Sequence, residues 1–236
     1  MQLIPVQTKI LKPPKDDLFV ILDKCLKDVQ EGDIVLVTSK VISIHQGACV
    51  PIGLIEKEVL VSQEEEHAMS ANKSYPLRIK YNAFLFESGI DESNGEGYYV
   101  LLPKKPYEAA KEIWEYLRKR HSIKNVGVII TDSHLLPFRR GVTGISIAFW
   151  GFLPVAQHEG KRDLFGREIL LSSTNIADSL ASASAVVCGE CDEATPVVIA
   201  RDVPGIVYTE KDVREELLIP IESDLYGPLL KEFCGD

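Results

Sequence analysis

The chain has 236 residues, 45% of them hydrophobic and 26% charged, enough apolar material for a buried core and too much for general disorder. With 26 Lys and Arg against 35 Asp and Glu, its net charge is −9, which excludes a nucleic-acid partner gripped by a broad basic face. A phosphate ligand stays open, because a site needs only a few local cations.

No apolar run reaches the roughly 18 residues of a membrane span, so no membrane partner is expected. The length suits a single domain over residues 1–236, built as one unit or as two interlocked subdomains. The first fifteen residues lack the basic-then-apolar order of a signal peptide, since Lys9, Lys12 and Lys15 follow Pro5. The cysteines number five, an odd count without a secretion signal, and the reading is a reduced, cytoplasmic protein.

Residues 16–29 open on Asp16 and Asp17 and carry an apolar stripe, which predicts a helix. A turn at Glu31-Gly32-Asp33 leads into a buried strand at 34–38. Residues 56–74 are polar and contain Glu64-Glu65-Glu66, the pattern of a solvated helix face. Apolar and polar residues alternate from Leu77 to Leu85, which predicts one strand, and another follows at 98–102. Residues 106–120 form the clearest helix, with Pro at its start, one apolar face, and Arg118-Lys119-Arg120 at its negative end. A buried strand at 126–130, a small-residue helix at 172–188, a core strand at 196–200 and a helix at 212–218 complete the pattern. Strands and helices mix without a strict βαβ rhythm. The expected class is α+β, with mixed or antiparallel sheets and packed helices.

Six segments carry candidate chemistry. Ser88 to Gly95 sets acidic and amide side chains between glycines, as a hard-cation loop or an ordinary Asx turn does. Asp132 and Ser133 leave an apolar strand, as metal ligands or as a turn cap. Arg139 and Arg140 precede Gly141, suiting an anion clamp or a basic surface turn. Lys161 and Arg162 follow Gly160 in a second cation-rich loop. Lys40 ends a strand, exposed or facing a phosphate. Cys188-Gly189-Glu190-Cys191 has no second Cys pair, so Glu190 and its acidic neighbours are better hard-cation candidates than the thiols are zinc ligands. No Walker loop, Gly-x-Ser-x-Gly elbow or His-Glu-x-x-His helix is present.

In this order the segments resemble the coenzyme F420-0:γ-glutamyl ligase family. Gly89-Ile90-Asp91-x-Ser93-Asn94 matches its Gly-Ile-Asp-x-Ser-Asn segment. Ile130 to Ser133 with Arg139, Arg140 and Gly141 match its Ile-Thr-Asp-Thr strand and Arg-x-Gly loop. Gly160, Lys161, Asp163 and Gly166 match an Arg-Gly-x-x-Asp-x-x-Gly segment, and Gly189, Glu190 and Pro196 match a Gly-Glu segment before a Pro-led strand.

The resemblance implies an intertwined homodimer with nucleotide and metals in a cleft. It implies Mg²⁺ or Mn²⁺ at two sites, one on Asp91 and Asp132 and one on Ser133 and Glu190. Lys40, Asn94, Gly189, Lys161 and Arg162 would bind the co-substrate GTP or ATP, and Arg139 and Arg140 would act in catalysis. The implied reaction adds L-glutamate to an acceptor carboxylate through an acyl phosphate. Two departures stand out. Lys9 to Lys12 replaces Leu-Pro-x-Ile, and Ile44 replaces a Lys. The wording at 131–134 and 151–154 resembles a bacterial branch proposed to glutamylate tetrahydrofolate, so the acceptor is either folate-type or coenzyme F420-0, with a tilt toward folate. A non-catalytic ligand-binding relative and a metal-dependent phosphatase are the alternatives from other classes.

Overall fold

The computed structural model describes residues 1–69 and 77–234. In chain order the elements are β1 (Gln2–Val6), α1 (Leu18–Cys25), β2 (Ile34–Thr38), α2 (Ser39–Gln46), β3 (Cys49–Pro51), α3 (Lys57–Glu64), β4 (His67–Met69), β5 (Leu77–Lys80), β6 (Ala83–Leu85) and β7 (Tyr98–Val100). There follow α4 (Pro106–His121), β8 (Gly127–Leu135), β9 (Val142–Trp150), β10 (Val155–Gln157), β11 (Ser173–Asn175), α5 (Ile176–Cys188), β12 (Val197–Arg201) and α6 (Gly227–Cys234).

The centre is a five-stranded sheet in the order β1-β12-β2-β8-β9. Only β2 and β8 run parallel; the other neighbours are antiparallel. The architecture is thus α+β with a mixed sheet. Both faces of the sheet are covered, which is why its inner strands read as unbroken apolar runs. Along β2, Val35 and Val37 face the larger core, built with α1, α2 and α4, while Ile34 and Leu36 face a second core built on α5. Strand β12 divides the same way, with Val197 and Ile199 on one side and Val198 and Ala200 on the other. Asp33, 1% exposed, anchors the outer end of β2. It accepts two hydrogen bonds from Arg201, at 2.9 and 2.8 Å, and one from the Gln30 amide.

Several expectations change. The predicted helix at 16–29 starts at Leu18, capped by Asp17, whose side chain accepts from the Phe19 amide. Residues 39–46 form a helix that the sequence pattern hid, so Lys40 stands in a first helical turn rather than at a strand end. The polar stretch from 56 is helical only to Glu64 and then enters β4; its last residues, 70–74, lie outside the described residues. The alternating run 77–85 is two strands, because Tyr81 and Asn82 both take positive φ (53° and 56°), the pair of angles that a tight hairpin turn needs. The helix expected from 172 begins at Ile176, capped by Asn175, and β11 precedes it. Residues 212–218 hold a single short turn at Arg214–Glu216 instead of a helix. Strand β8 continues past 130 to Leu135 after a register shift between Ile130 and Thr131.

Candidate active site

The parallel pairing of β2 with β8 ends at Thr38 opposite Thr131, and β8 runs on from there to Leu135. Strand β12 runs against β2, so its start at Val197 lies opposite Val37 at the same edge. Strand β1 ends there too, with Val6 opposite Val197. Three strand ends, the middle of β8, the C-terminal end of α5 and the loop at 91–94 therefore meet around one cleft of about 610 Å³. The carboxyl ends of parallel strands are where open α/β sheets place ligands.

Asp91, Asp132, Ser133, Glu190, Lys40, Asn94 and Gly189 all line this cleft. The β8 register shift re-aims the strand just before Asp132, as a bulge does. One oxygen of Asp132 accepts from Ser39 Oγ at 3.2 Å and from the Ser133 amide at 2.9 Å. Its other oxygen, Oδ2, is fully covered and has no partner among the described residues. Burial pushes this carboxyl up to about 7, and the charge of Asp91 adds to the rise.

Asp91 meets the opposite balance. Burial raises its carboxyl, but the hydrogen bond and charge of Lys40 outweigh that and hold it below the usual range. Lys40 Nζ lies 2.6 Å from Asp91 Oδ2, 2.9 Å from Ser93 O and 3.0 Å from Ser93 Oγ. The other Asp91 oxygen accepts from the Ser93 amide at 2.7 Å. Ser133 Oγ donates to Glu190 Oε1 at 3.1 Å, and Asn94 Nδ2 to Cys191 O at 2.8 Å. Gly189 has φ of 72°, and a Cβ there would meet the Glu193 carboxylate at 2.1 Å, so the turn presenting Glu190 requires glycine.

These donors are carboxylate and hydroxyl oxygens, the set that hard divalent cations take. The buried, unpartnered Oδ2 of Asp132 calls for a cation or a proton. The residues present thus fit a divalent metal on chemical grounds. In the described residues, no three His, Cys, Asp or Glu side chains already converge into a closed cage. Cys188 and Cys191 also line the cleft as free thiols, and burial pushes Cys188 up to about 11, far from a ready thiolate.

Arg139, Arg140, Lys161 and Arg162 do not line the cleft of this single chain. Arg139 and Arg140 lie at the exposed tip joining β8 to β9, and Lys161 and Arg162 on the exposed 158–169 loop. Ser39, Ser93 and Glu193 support the candidate ligands by hydrogen bonds. Ser93 belongs to the Asp91 segment and Glu193 to the acidic neighbours of Glu190 that the sequence already offered. Two contributors escaped the sequence reading: Ser39, whose only signal is adjacency to Lys40, and helix α2, whose first turn faces the cleft with no side-chain cap.

The family model described as F420-0:Gamma-glutamyl ligase matches residues 54–202. The chain is 35% identical to the coenzyme F420:L-glutamate ligase of Methanocaldococcus jannaschii, over 84% of this chain and 86% of the relative. It is 32% identical to that of Methanopyrus kandleri, over 84% of each. It is 29% identical to that of Methanothermobacter thermautotrophicus, over 96% of this chain and 98% of the relative. The cleft is thus carried by a chain that belongs to the F420-0:γ-glutamyl ligase family of amide-forming enzymes.

Proposed function

We propose that this enzyme joins L-glutamate to the carboxylate of coenzyme F420-0, at the expense of ATP or GTP and with Mg²⁺ or Mn²⁺. One observation carries the reading: Asp91, Asp132, Glu190, Ser133 and Lys40, drawn from separate segments, line one cleft beside an unpartnered carboxylate oxygen. The family description supplies F420-0 as the acceptor, and the relatives' names supply L-glutamate.

A carboxylate is too poor an electrophile to form an amide directly. In this reading an acceptor carboxylate oxygen attacks the γ-phosphorus of the nucleotide. The bond to the β–γ bridging oxygen breaks, and a nucleoside diphosphate leaves. The glutamate amine then attacks the acyl carbon, loses a proton and expels inorganic phosphate. A divalent cation on Asp91, Asp132, Ser133 and Glu190 would neutralise the crowded phosphate charge. The uncapped amides at the start of α2 and the ammonium of Lys40 offer positive charge to the phosphates, with Asn94 and Gly189 alongside.

Arg139, Arg140, Lys161 and Arg162 enter through a homodimer. Their loops carry Phe138, Leu164 and Phe165, each at least 96% exposed in one chain. Large apolar side chains so bare ask for cover. Pairing two copies through these loops would bury them and carry the cations toward the partner's cleft, where they would stabilise the transferring phosphoryl group.

A folate-type acceptor is the second reading. Lys9, Ile10, Leu11, Lys12 and Ile44, the positions that depart from the family wording, all line the cleft. A mass-spectrometric assay with glutamate, Mn²⁺ and either nucleotide, run with coenzyme F420-0 and with tetrahydrofolate, tests both. A glutamyl adduct on coenzyme F420-0 is the expected product. An adduct on tetrahydrofolate alone would move the acceptor to the second reading. Nucleotide hydrolysis without an adduct on either acceptor would contradict the ligase.

A further inference from the structure

The Asp91 segment is held from two sides. Lys40 grips it from the cleft, and α3 grips it from behind. Lys57, the first residue of α3, places Nζ 2.5 Å from Glu87 Oε2 and 2.5 Å from Glu92 Oε1. One turn further on, Val61 O accepts from Ser88 Oγ at 3.2 Å, and Ser88 is fully buried. Between these contacts the backbone is left-handed at three successive residues, with φ of 47° at Glu87, 57° at Ser88 and 75° at Gly89. Two of those residues carry a Cβ, and such backbone persists only where its surroundings impose it. The chain then leaves extended, Asp91 exchanging backbone hydrogen bonds with Val100 at 3.0 and 2.8 Å. Successive side chains of an extended segment point to opposite sides, so Asp91 meets Lys40 while Glu92 meets Lys57.

We propose that Lys57 is a positioning residue for the cation site: by tying Glu87 and Glu92 to α3 it holds the left-handed turn and presents Asp91 to the cleft. Without it, Glu87 and Glu92 lose their shared cation and repel each other beside Asp91. The inference rests on the reading of Asp91 as a cation ligand. Outer partners that orient metal ligands typically change affinity by about 10–100-fold when removed.

The test compares wild type, Lys57→Met, Lys57→Arg and Asp91→Asn. Mn²⁺ binding is read by electron paramagnetic resonance, and amide exchange over residues 86–94 is read in the metal-free protein. Lys57→Met is expected to bind Mn²⁺ at least about tenfold more weakly. Its exchange should rise within 86–94 while the central sheet stays protected. Lys57→Arg should restore most of both. In ligation assays the Mn²⁺ needed for half-maximal rate should rise more than kcat at saturating Mn²⁺ falls. Wild-type affinity and exchange in Lys57→Met would overturn the proposal. If Lys57→Met does not fold, Glu92→Gln removes one arm of the clamp; a smaller loss in the same direction supports the proposal, and no loss overturns it. A wild type that binds no Mn²⁺ would overturn the ligand reading of Asp91 itself, and the exchange data would then decide the clamp alone.

Discussion

Asp132 lines the cleft with its carboxyl group out of water. Its carboxyl titrates near 7 in the folded chain against an ordinary 3.8, with burial as the main cause. The folded state therefore holds a proton that the unfolded state releases between those values. The stability contributed by this group is fully present at and below about pH 4, falls as pH rises through about 7, and is flat above. Asp132→Asn cannot lose that proton. Urea unfolding of the metal-free proteins should show the variant gaining on wild type between about pH 4 and pH 7; a constant difference would contradict the assignment. Protons also compete with the cation, so Mn²⁺ affinity should drop by about tenfold per unit below pH 7 in wild type. The same variant should lose at least about 100-fold in ligation rate, measured by product mass, because the proposed cation site loses a charge. At this scale the sequence singled out Asp91, Asp132 and Glu190, which the fold sets around one cleft. It was silent on Ser39 and Lys57, whose importance comes from contacts with Asp132 and with Glu87 and Glu92, residues distant in the chain.

Among the elements, those with redundant local signals were readable. Helix α4 combines Pro106 at its start, a buried stripe through Leu117 and four basic residues in its last turn. Strands β2 and β12 and the first half of β8 are apolar runs covered on both faces. Helix α2 was hidden because its buried residues, Val41, Ile42 and Ile44, are β-branched and no side chain caps it. Strand β9 was hidden because Gly144 and Ser146 interrupt its pattern, and both have tertiary reasons. Ser146 donates its amide to Asp178 at the start of α5. A Cβ at Gly144 would lie 2.2 Å from Ala181 O, so α5 packs directly on this strand. Gly144→Ala should cost about 1–3 kcal/mol in urea unfolding. It should also weaken Mn²⁺ binding, because α5 leads into the turn that carries Glu190; an unchanged unfolding midpoint would contradict this packing. Arg201→Met tests the far end of the sheet. It leaves Asp33 buried without its cation, at an expected cost of about 3–5 kcal/mol in the same assay.

For the whole molecule, the cleft and its loops explain why the candidate residues fell into two groups. Seven line one cleft, while the four cations on loops 137–141 and 158–169 stand outside it. Local spacing reveals a motif but not where the fold places it, so that division was invisible in the sequence. The proposed homodimer predicts a solution mass near twice the 26.3 kDa of one chain, measured by light scattering. Phe138→Glu combined with Phe165→Glu should return the mass of one chain. The pair should abolish ligation while leaving Mn²⁺ binding in the cleft within about twofold of wild type, since surface changes away from a site act weakly. A monomeric, fully active wild type would contradict the delivery of the cationic loops by a partner. The most direct test of the central claim, transfer of the γ-phosphoryl group to the acceptor carboxylate, follows an oxygen atom. The acceptor carboxylate is labelled with oxygen-18, and the inorganic phosphate formed during ligation is analysed by mass spectrometry. The expected result is phosphate carrying one heavy oxygen, in step with amide formation. Unlabelled phosphate alongside glutamylated product would contradict the acyl phosphate and, with it, the role given to the cleft.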